Sequence, residues 1–423
     1  MKRNRRISAV AVLALAALVT GTGAGSAATA TPVATHAFDT APAAATAPPR
    51  SFQGALPAPT GPYAAGEDVI HLTDVSRPDP WVPSSGPRQL TVTTVYPAVP
   101  GTGTPAPYMT LAEAAGSIQH RKLPASSGVT PQNLSTVTTH AFAGARPQRG
   151  KYPLVVLSPA YEDPRMVLTS LATDLASHGY VVALVGHTYE DSGETLANGQ
   201  TPPCAICDDP ALDFDSVAAS RALDVSFVID QLTHGNTAWP LAHLIDKYEI
   251  GMAGHSLGGA AAAATMIADP RVLAGVNMDG TFHPAPMPGQ INRPFLMLGA
   301  AANHAPGGDD YSVWEQTWAA LDGYKKWLTV AGADHFSFSD LDLLLEEAGF
   351  PTPPLSPERG AVITREYVTA FLDQTLKGIH NPLLDGPSPN NPEVLFQYWL
   401  YCPGTLVNLV MGGLPPVAMW GRW

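Results

Sequence analysis

The chain has 423 residues, of which 45% are hydrophobic and only 14% charged, so it is long enough for one large α/β domain with insertions or for two small domains. The hydrophobic fraction is large enough to fill a core. The formal net charge is −13, and beyond its first few residues the chain has no basic patch, which argues against nucleic acid as a partner because an acidic surface repels phosphate groups.

The first thirty residues have the pattern of an export signal. A basic segment, Lys2–Arg6, precedes an apolar stretch from Ile7 to Val19, and small residues suitable for cleavage follow at 26–30. The apolar stretch is shorter than the roughly 20 residues that a membrane-spanning helix needs. The sequence therefore predicts a signal peptide over 1–30, no transmembrane span, and a secreted, extracellular protein.

Composition divides the rest of the chain into segments. Residues 31–60 are rich in Ala, Thr and Pro and are predicted to be a flexible linker without a core. The main domain is expected over 61–380. Within it, residues 101–148 are rich in Pro, Gly and Ser, and such a long irregular segment is a candidate cap insertion over a functional site. Residues 381–423 are predicted to be an apolar C-terminal extension, whose role the sequence leaves open.

Two of the three cysteines lie close together in a loop. Cys204 and Cys207 are flanked by Pro203 and Asp208, and an exported protein meets an oxidising environment, so a small loop disulfide is predicted, with two free thiols as the alternative. A zinc site would need a second pair of ligands, which the sequence does not offer. No metal is therefore expected, and the pairing of Cys402 is left open.

Short apolar runs alternate with helical patterns along the main domain. The predicted strands are Val69–Leu72, Leu90–Tyr96, Pro153–Ser158, Tyr180–Val185, Glu249–Ala253, Val276–Met278, Phe295–Leu298 and Trp327–Val330. Helices are predicted at Leu111–Gln119, between Leu168 and Gly179, at Ser216–Leu232, after Ser256, at Tyr311–Leu321 and at Ala361–Leu376. This alternation predicts an α/β fold with a mostly parallel sheet and helices on both faces.

One motif has the form expected of a nucleophile. Gly254-His255-Ser256-Leu257-Gly258 follows a predicted strand and opens a small-residue helix, which is the context that a G-x-S-x-G motif requires. The sharp turn would expose the Ser256 hydroxyl and direct the helix N-terminus at the same point. Ser256 is thus the predicted catalytic nucleophile, against a structural glycine-rich turn.

A serine nucleophile needs a base, and the base is expected on a loop after the last parallel strand. His335 occupies that position, in the segment that follows Trp327–Val330. Three other histidines are weaker candidates. His187 precedes the serine, His255 lies inside the turn and is expected to point away, and His178 stands beside a helix-ending glycine.

The base in turn needs a carboxylate to orient it. Asp279 follows the strand Val276–Met278, whereas the other common position, directly after Phe295–Leu298, carries no acid. Asp309 and Asp310 come later, beyond a Pro-Gly-Gly segment. Asp279 is therefore preferred, with a turn or helix-cap aspartate as the alternative.

Two backbone N–H groups are needed to stabilise the oxyanion that forms during acyl transfer. One is expected from Leu257, which follows the nucleophile. The other is expected from the loop after the strand Pro153–Ser158, where Tyr161 is the candidate.

These motifs, together with the segments Asp174–Tyr180 and Asp334–Phe338, resemble the lipoprotein-associated and intracellular type II platelet-activating factor acetylhydrolases and related secreted actinobacterial lipases and esterases. The similarity extends over about residues 60–375. It implies an α/β-hydrolase catalytic domain and independence of calcium. The loop Pro159–Asp163 lacks the glycine that the family usually has there, and its two acids disfavour anionic head groups.

The resemblance implies a carboxylic ester hydrolase with Ser256, Asp279 and His335 as its triad. Short-acyl esters and phospholipid sn-2 esters are the expected substrates, with contact to a lipid interface and no cofactor. A broader lipase or polyester hydrolase, and a peptidase or amidase on the same fold, remain as alternatives. A binding protein without catalytic activity is disfavoured because the triad is complete.

Overall fold

The computed structural model describes residues 52–235, 237–285, 287, 291–402 and 405–411, with side chains up to residue 397. The predicted signal peptide and most of the predicted linker therefore lie outside the described residues, as does the side chain of Cys402. No helix within the described ranges is long and apolar enough to cross a membrane.

The strands, numbered in chain order, are β1 Ala64–Pro78, β2 Pro87–Ala98, β3 Thr104–Pro105, β4 Ala141–Ala143, β5 Tyr152–Ser158, β6 Val181–His187, β7 Ile245–His255, β8 Val272–Met278, β9 Phe295–Ala300, β10 Lys325–Val330, β11 Val394–Cys402 and β12 Thr405–Met411. The helices are α1 Leu111–His120, α2 Pro131–Ser135, α3 Thr169–Ser177, α4 Phe214–Thr233, α5 Leu257–Ala268, α6 Ala301–His304, α7 Tyr311–Ala320, α8 Leu341–Glu347 and α9 Pro357–Leu376.

These described strands form one sheet in the order β12-β11-β10-β9-β8-β7-β5-β6-β2-β1-β4-β3. The six central strands from β10 to β6 are parallel to one another. Antiparallel strands flank them, with β2 beside β6 and β11 beside β10. Because the carboxyl ends of parallel strands meet at one edge, the loops after β5, β7, β8 and β10 are brought together there.

The central sheet is covered on both faces. Alternate residues of β5 belong to different apolar clusters: Val155 and Leu157 pack with α3 and α9, and Leu154 and Val156 pack with α4 and α5. A strand buried on both faces accounts for the continuous apolar sequence of β5. The predicted fold class, a mostly parallel sheet with helices on both faces, is confirmed.

The predicted elements agree with the structure in type, and the main differences are at their ends. Strand β2 is predicted to end at Tyr96 but continues through Pro97 to Ala98. This end pairs with β1, and Pro97, which has no N–H to donate, accepts a hydrogen bond from the Gln148 N–H at 2.8 Å. Helix α9 begins four residues earlier than predicted, at Pro357, since Ser356 accepts a hydrogen bond from the Arg359 N–H and proline suits the first helical turn.

The segment 101–148 is more ordered than its composition indicates. Strand β4 pairs with β1 and β3 with β4, so the segment extends the sheet. Helices α1 and α2 bury an apolar cluster that also contains Phe52 and Leu56. The described end of the predicted linker therefore packs against the main domain and is not a flexible segment without a core, because it carries two large apolar side chains. That 101–148 forms a cap over the functional site stays a prediction.

The C-terminal extension also joins the sheet. Strand β11 pairs with β10 in antiparallel register, with Leu328 opposite Phe396, and β12 pairs with β11. Val394 and Phe396 are buried in the same apolar cluster as α9. The described part of the extension thus continues the sheet beyond β10.

Candidate active site

Ser256 lies in a strained turn between β7 and α5. Its backbone angles are φ 55° and ψ −122°, which non-glycine residues rarely adopt. The turn needs glycines around it: a Cβ on Gly254 would lie 2.1 Å from the backbone of Gly258, and a Cβ on Gly258 would lie 2.0 Å from the carbonyl oxygen of Ser158. The motif therefore forms the tight strand-to-helix turn that its sequence predicts.

The same turn presents backbone donors. The N–H groups of Gly259 and Ala260 donate to the carbonyl of Ser256, which closes the first turn of α5. Leu257 is the first residue of that helix, where an N–H has no intrahelical acceptor. Its N–H is thus available next to the Ser256 side chain.

His335 and Asp279 form a close pair at the same edge of the sheet. Nδ1 of His335 lies 2.6 Å from Oδ2 of Asp279. Asp279 directly follows β8, its side chain is fully buried, and its second oxygen accepts a hydrogen bond from the Ala300 N–H at 2.5 Å. The His335 side chain is 39% exposed, so its ring can contact a ligand while the carboxylate of Asp279 binds its Nδ1.

The backbone connects this pair to the serine. The N–H of Ser256 donates to the carbonyl of Met278 at 2.8 Å, one residue before Asp279. On the other side, Nε2 of His255 donates to the carbonyl of His335 at 2.6 Å, and the two rings lie 4.8 Å apart between centroids. His255 thus packs against the base segment, which accounts for its burial beside the turn.

The surroundings shift the pKa values of these three groups in different directions. Burial alone would raise the pKa of Asp279, but His304 and His335 outweigh it and hold that pKa well below its usual range. Burial would lower the pKa of His335, but the hydrogen bond and charge of Asp279 raise it above 6.5. Burial and the neighbouring His335 lower the pKa of His255 to about 3. An ionised Asp279 can therefore orient His335 as a base and stabilise its protonated form.

A second histidine lies against the buried carboxylate. Nε2 of His304 is 3.1 Å from Oδ1 of Asp279, and the His304 ring stacks on Trp314 with centroids 3.8 Å apart. His304 ends α6, just after β9, which is the second position considered above for the acid. Sequence reasoning looked for an acid at that position and missed the histidine, whose place after a central strand was the available signal.

The loop Pro159–Asp163 follows β5 and lies against the start of α5. Tyr161 donates from its hydroxyl to the carbonyl of Ile206 at 2.7 Å, and its ring packs edge-on against Phe214 at 5.3 Å. Leu257 and Tyr161 share an apolar cluster with Ile206. The side chains of the two residues predicted to supply oxyanion donors therefore pack in the same cluster.

The loop that contains Ile206 is closed by a disulfide between Cys204 and Cys207, the pairing that the sequence predicts. The Cys204–Cys207 segment is anchored in turn, because Ala205 donates its N–H to the carbonyl of Tyr189 at 2.9 Å. The disulfide loop thus supports the hydroxyl end of Tyr161.

Among the described residues, two groups bring three metal-ligating side chains together, but neither suits a cation. His187, Glu190 and Asp224 converge inside the core, where Arg88 and Arg221 already supply positive charge to the two carboxylates at 2.7 Å. His120 and Glu162 meet Cys207, whose sulfur is committed to the disulfide. His187 is thus part of a buried ion-pair network, and His178 contacts Thr60 at the molecular surface.

The parallel sheet, the strained serine turn and the oriented histidine define an enzyme of the α/β-hydrolase type. The family model of platelet-activating factor acetylhydrolase, isoform II, matches residues 112–203 and 224–350. The chain belongs to this family, and so to the carboxylic ester hydrolases, which confirms the resemblance seen in the sequence.

Individual relatives agree with this placement. The chain is 27% identical over 396 residues to a probable 1-alkyl-2-acetylglycerophosphocholine esterase of Arthroderma benhamiae, covering 84% of this chain and 96% of the relative. It is 24% identical to the platelet-activating factor acetylhydrolase of Bos taurus over 49% of this chain and 52% of that one. A solved ferulic acid esterase from Streptomyces cinnamoneus has 38% identity and a TM-score of 0.73, covering 81% of this chain and 99% of the other.

Proposed function

We propose that this esterase is a serine hydrolase in which Ser256 is the nucleophile, His335 the general base and Asp279 the residue that orients the base. The observation that carries the proposal is the 2.6 Å contact between His335 and Asp279, formed beside a serine at φ 55°. The N–H groups of Leu257 and Tyr161 are the proposed oxyanion donors.

The proposed reaction has two steps. His335 accepts the Ser256 proton while the hydroxyl oxygen attacks the ester carbonyl, and the developing oxyanion is held by the two N–H groups. His335 then gives the proton to the departing alcohol, leaving an acyl-enzyme. Water, activated by His335, hydrolyses that intermediate and regenerates the serine.

Short-acyl carboxylic esters and phospholipid sn-2 esters are the proposed substrates. Support comes from the family and from the relative named as an esterase of 1-alkyl-2-acetylglycerophosphocholine. In the proposed oxyanion loop Asp163 is buried against Arg121, whereas the Glu162 side chain is 24% exposed. Glu162 is therefore the acid that favours neutral or zwitterionic esters, including those at a lipid interface, over anionic ones.

Esters of aromatic acids are a second candidate. The structural neighbour is named a ferulic acid esterase. Beside the oxyanion loop, Phe214 is 37% exposed and lies between the rings of Tyr161 and His283, at 5.3 and 5.5 Å. The exposed Phe214 ring offers a surface on which an aromatic acyl group can stack.

A substrate panel tests the proposal. The purified enzyme and Ser256→Ala are compared on p-nitrophenyl acetate, butyrate and palmitate, on an acetylated phospholipid, on methyl ferulate and on matching amides. The proposal predicts ester turnover that the variant lacks, highest for short acyl chains. Preference for palmitate would favour a lipase, preference for methyl ferulate the second candidate, and turnover of amides alone a peptidase or amidase. A folded enzyme that cleaves none of them would contradict the proposal.

We also propose that the protein is secreted, on the basis of the basic and apolar pattern of its first thirty residues. Expression of the full chain in a secreting host followed by N-terminal sequencing tests this. Mature protein in the medium that begins near residues 27–31 is expected. Full-length protein retained in the cells would contradict it.

A further inference from the structure

The proposed oxyanion loop contains no glycine, yet its backbone is held by a buried arginine. Arg221 of α4 is 1% exposed and donates from Nη1 to the carbonyl of Pro159 at 2.5 Å. Its Nη2 lies 3.4 Å from the carbonyl of Ala160. These are the two carbonyls that precede Tyr161, so one guanidinium group fixes the peptide planes that determine where the Tyr161 N–H points.

Glu190 holds this arginine and also the far side of the loop. Its Oε2 accepts from Nε of Arg221 at 2.7 Å, and its Oε1 accepts from Nε1 of Trp81 at 3.0 Å. The backbone carbonyl of Glu190 accepts the N–H of Glu162 at 3.1 Å. Arg221 and Glu190 therefore clamp the loop on both sides of Tyr161.

A second layer of buried charges supports the clamp. Arg88 donates to Asp224 at 2.7 and 3.1 Å, and Asp224 lies 2.8 Å from Nδ1 of His187. Nε2 of His187 in turn lies 2.9 Å from the hydroxyl of Ser158, the residue where the loop begins. All four side chains are almost completely buried, which restricts their motion.

We propose that Arg221, held by Glu190, is a positioning residue that sets the oxyanion loop in its active geometry. Because the loop has no glycine, the hydrogen bonds of Arg221 to its carbonyls determine its backbone conformation. The inference rests on the proposed function, because it assigns the arginine a role in that reaction. Arg221 does not touch the substrate. It acts through the carbonyls of Pro159 and Ala160.

The shape of the side chain explains why arginine is used. A guanidinium group presents several N–H donors in one plane, so it can bind Glu190 and two carbonyls at once. A lysine ammonium is compact and keeps the positive charge opposite Glu190, but it cannot reproduce this planar fork. Arg221→Lys therefore changes loop geometry while retaining the charge balance of the core.

The test compares kcat and KM of Arg221→Lys with those of the wild-type enzyme on p-nitrophenyl acetate. Loss of an oxyanion donor costs about 10²–10³ in kcat, so a displaced donor is expected to lower kcat about 10- to 100-fold with KM within about threefold. Arg293→Lys is the matched control, because Arg293 also donates to main-chain carbonyls, at Asp269 and Val272, but away from the loop. Its kcat is expected to stay within about twofold of wild type.

A folded Arg221→Lys enzyme with wild-type kcat, or with a raised KM alone, would overturn the inference. If Arg221→Lys does not fold, Glu190→Gln takes its place, with an expected fall in kcat of about 3- to 10-fold from weakened orientation of Arg221. A folded Glu190→Gln enzyme with unchanged kcat would overturn it equally. Failure of the proposed function is distinguishable, since wild-type enzyme would then hydrolyse no ester, or Ser256→Ala would remain active.

Discussion

The buried carboxylate of Asp279 is shared by two histidines: Nδ1 of His335 lies 2.6 Å from one oxygen, and Nε2 of His304 lies 3.1 Å from the other. Only the His335 side chain reaches the surface, since His304 is fully buried. His304 is thus placed to keep Asp279 ionised and fixed while His335 exchanges protons.

Replacing His304 with phenylalanine tests this arrangement. The variant keeps an aromatic ring against Trp314 but removes the nitrogen that faces Asp279. The buried carboxylate then has one polar neighbour fewer, which costs about 1–3 kcal/mol, so kcat/KM should fall about 10-fold or more, mainly in kcat. Steady-state kinetics measure this, with the exposed His243→Phe as control. Wild-type kcat in a folded His304→Phe enzyme would contradict the role.

Asp279→Asn tests the central pair itself. The amide occupies nearly the same volume but carries no charge, and it can hold His335 in the wrong tautomer. In serine proteases this change lowers kcat about 10⁴-fold, so a loss of about 10³- to 10⁴-fold is expected in ester hydrolysis. A loss smaller than about tenfold, in an enzyme with an unchanged melting temperature, would show that another group orients the base.

Much of this site follows from local patterns in the sequence. Ser256 is marked by glycines between a strand and a helix, and His335 and Asp279 by their positions after strands, because parallel strands bring such loops to one edge. The paired strands β11 and β12 could not be predicted, since an apolar tail does not specify which surface it will cover. Pairing with β10 decides that.

The buried pair of Arg221 and Glu190 could not be predicted from the sequence. Arg221 lies four residues after Val217 and four before Val225, so it stands on the apolar face of α4. A charged residue on that face signals a buried partner, but the sequence does not say which one. Glu190 and the carbonyls of the oxyanion loop come from elements distant in the chain, and only the folded structure brings them to Arg221.

The pH dependence of kcat/KM follows from the raised pKa of His335. The base must be neutral to accept a proton, so activity should rise with pH through the pKa of His335, which Asp279 holds above 6.5. In Asp279→Asn the negative charge that raises the pKa of His335 is absent, so the acidic limb of the residual activity should move to lower pH. Profiles of both enzymes between pH 5 and 9 are the measurement. A wild-type limb below pH 6 would be inconsistent with the pair.

Gly258→Ala tests the close approach of α5 to β5. The added Cβ would lie 2.0 Å from the carbonyl oxygen of Ser158, so the loop or helix must shift. Such overpacking costs about 1–3 kcal/mol of unfolding free energy, and the shift should also lower kcat. Ala264→Gly in the same helix is the control, with a propensity cost of about 1 kcal/mol and unchanged kcat. Equal kcat in the two variants would speak against the contact.

The disulfide supports Tyr161 through the carbonyl of Ile206. Replacing both Cys204 and Cys207 with serine should lower the unfolding free energy by about 2 kcal/mol, as expected for so short a closed loop. The same change should lower kcat while KM changes less. Chemical denaturation and kinetics measure the two effects, and mild reduction of the wild-type enzyme should reproduce them. Unchanged stability and kcat would mean that the loop holds its shape without the bond.

Covalent labelling of the nucleophile tests the central claim most directly. The folded enzyme is treated with a fluorophosphonate, and its intact mass and its peptides are measured by mass spectrometry. The account predicts one adduct, on Ser256, that is absent from Ser256→Ala and forms more slowly in Asp279→Asn. Stoichiometric labelling of another residue, or an active esterase that remains unlabelled, would contradict it.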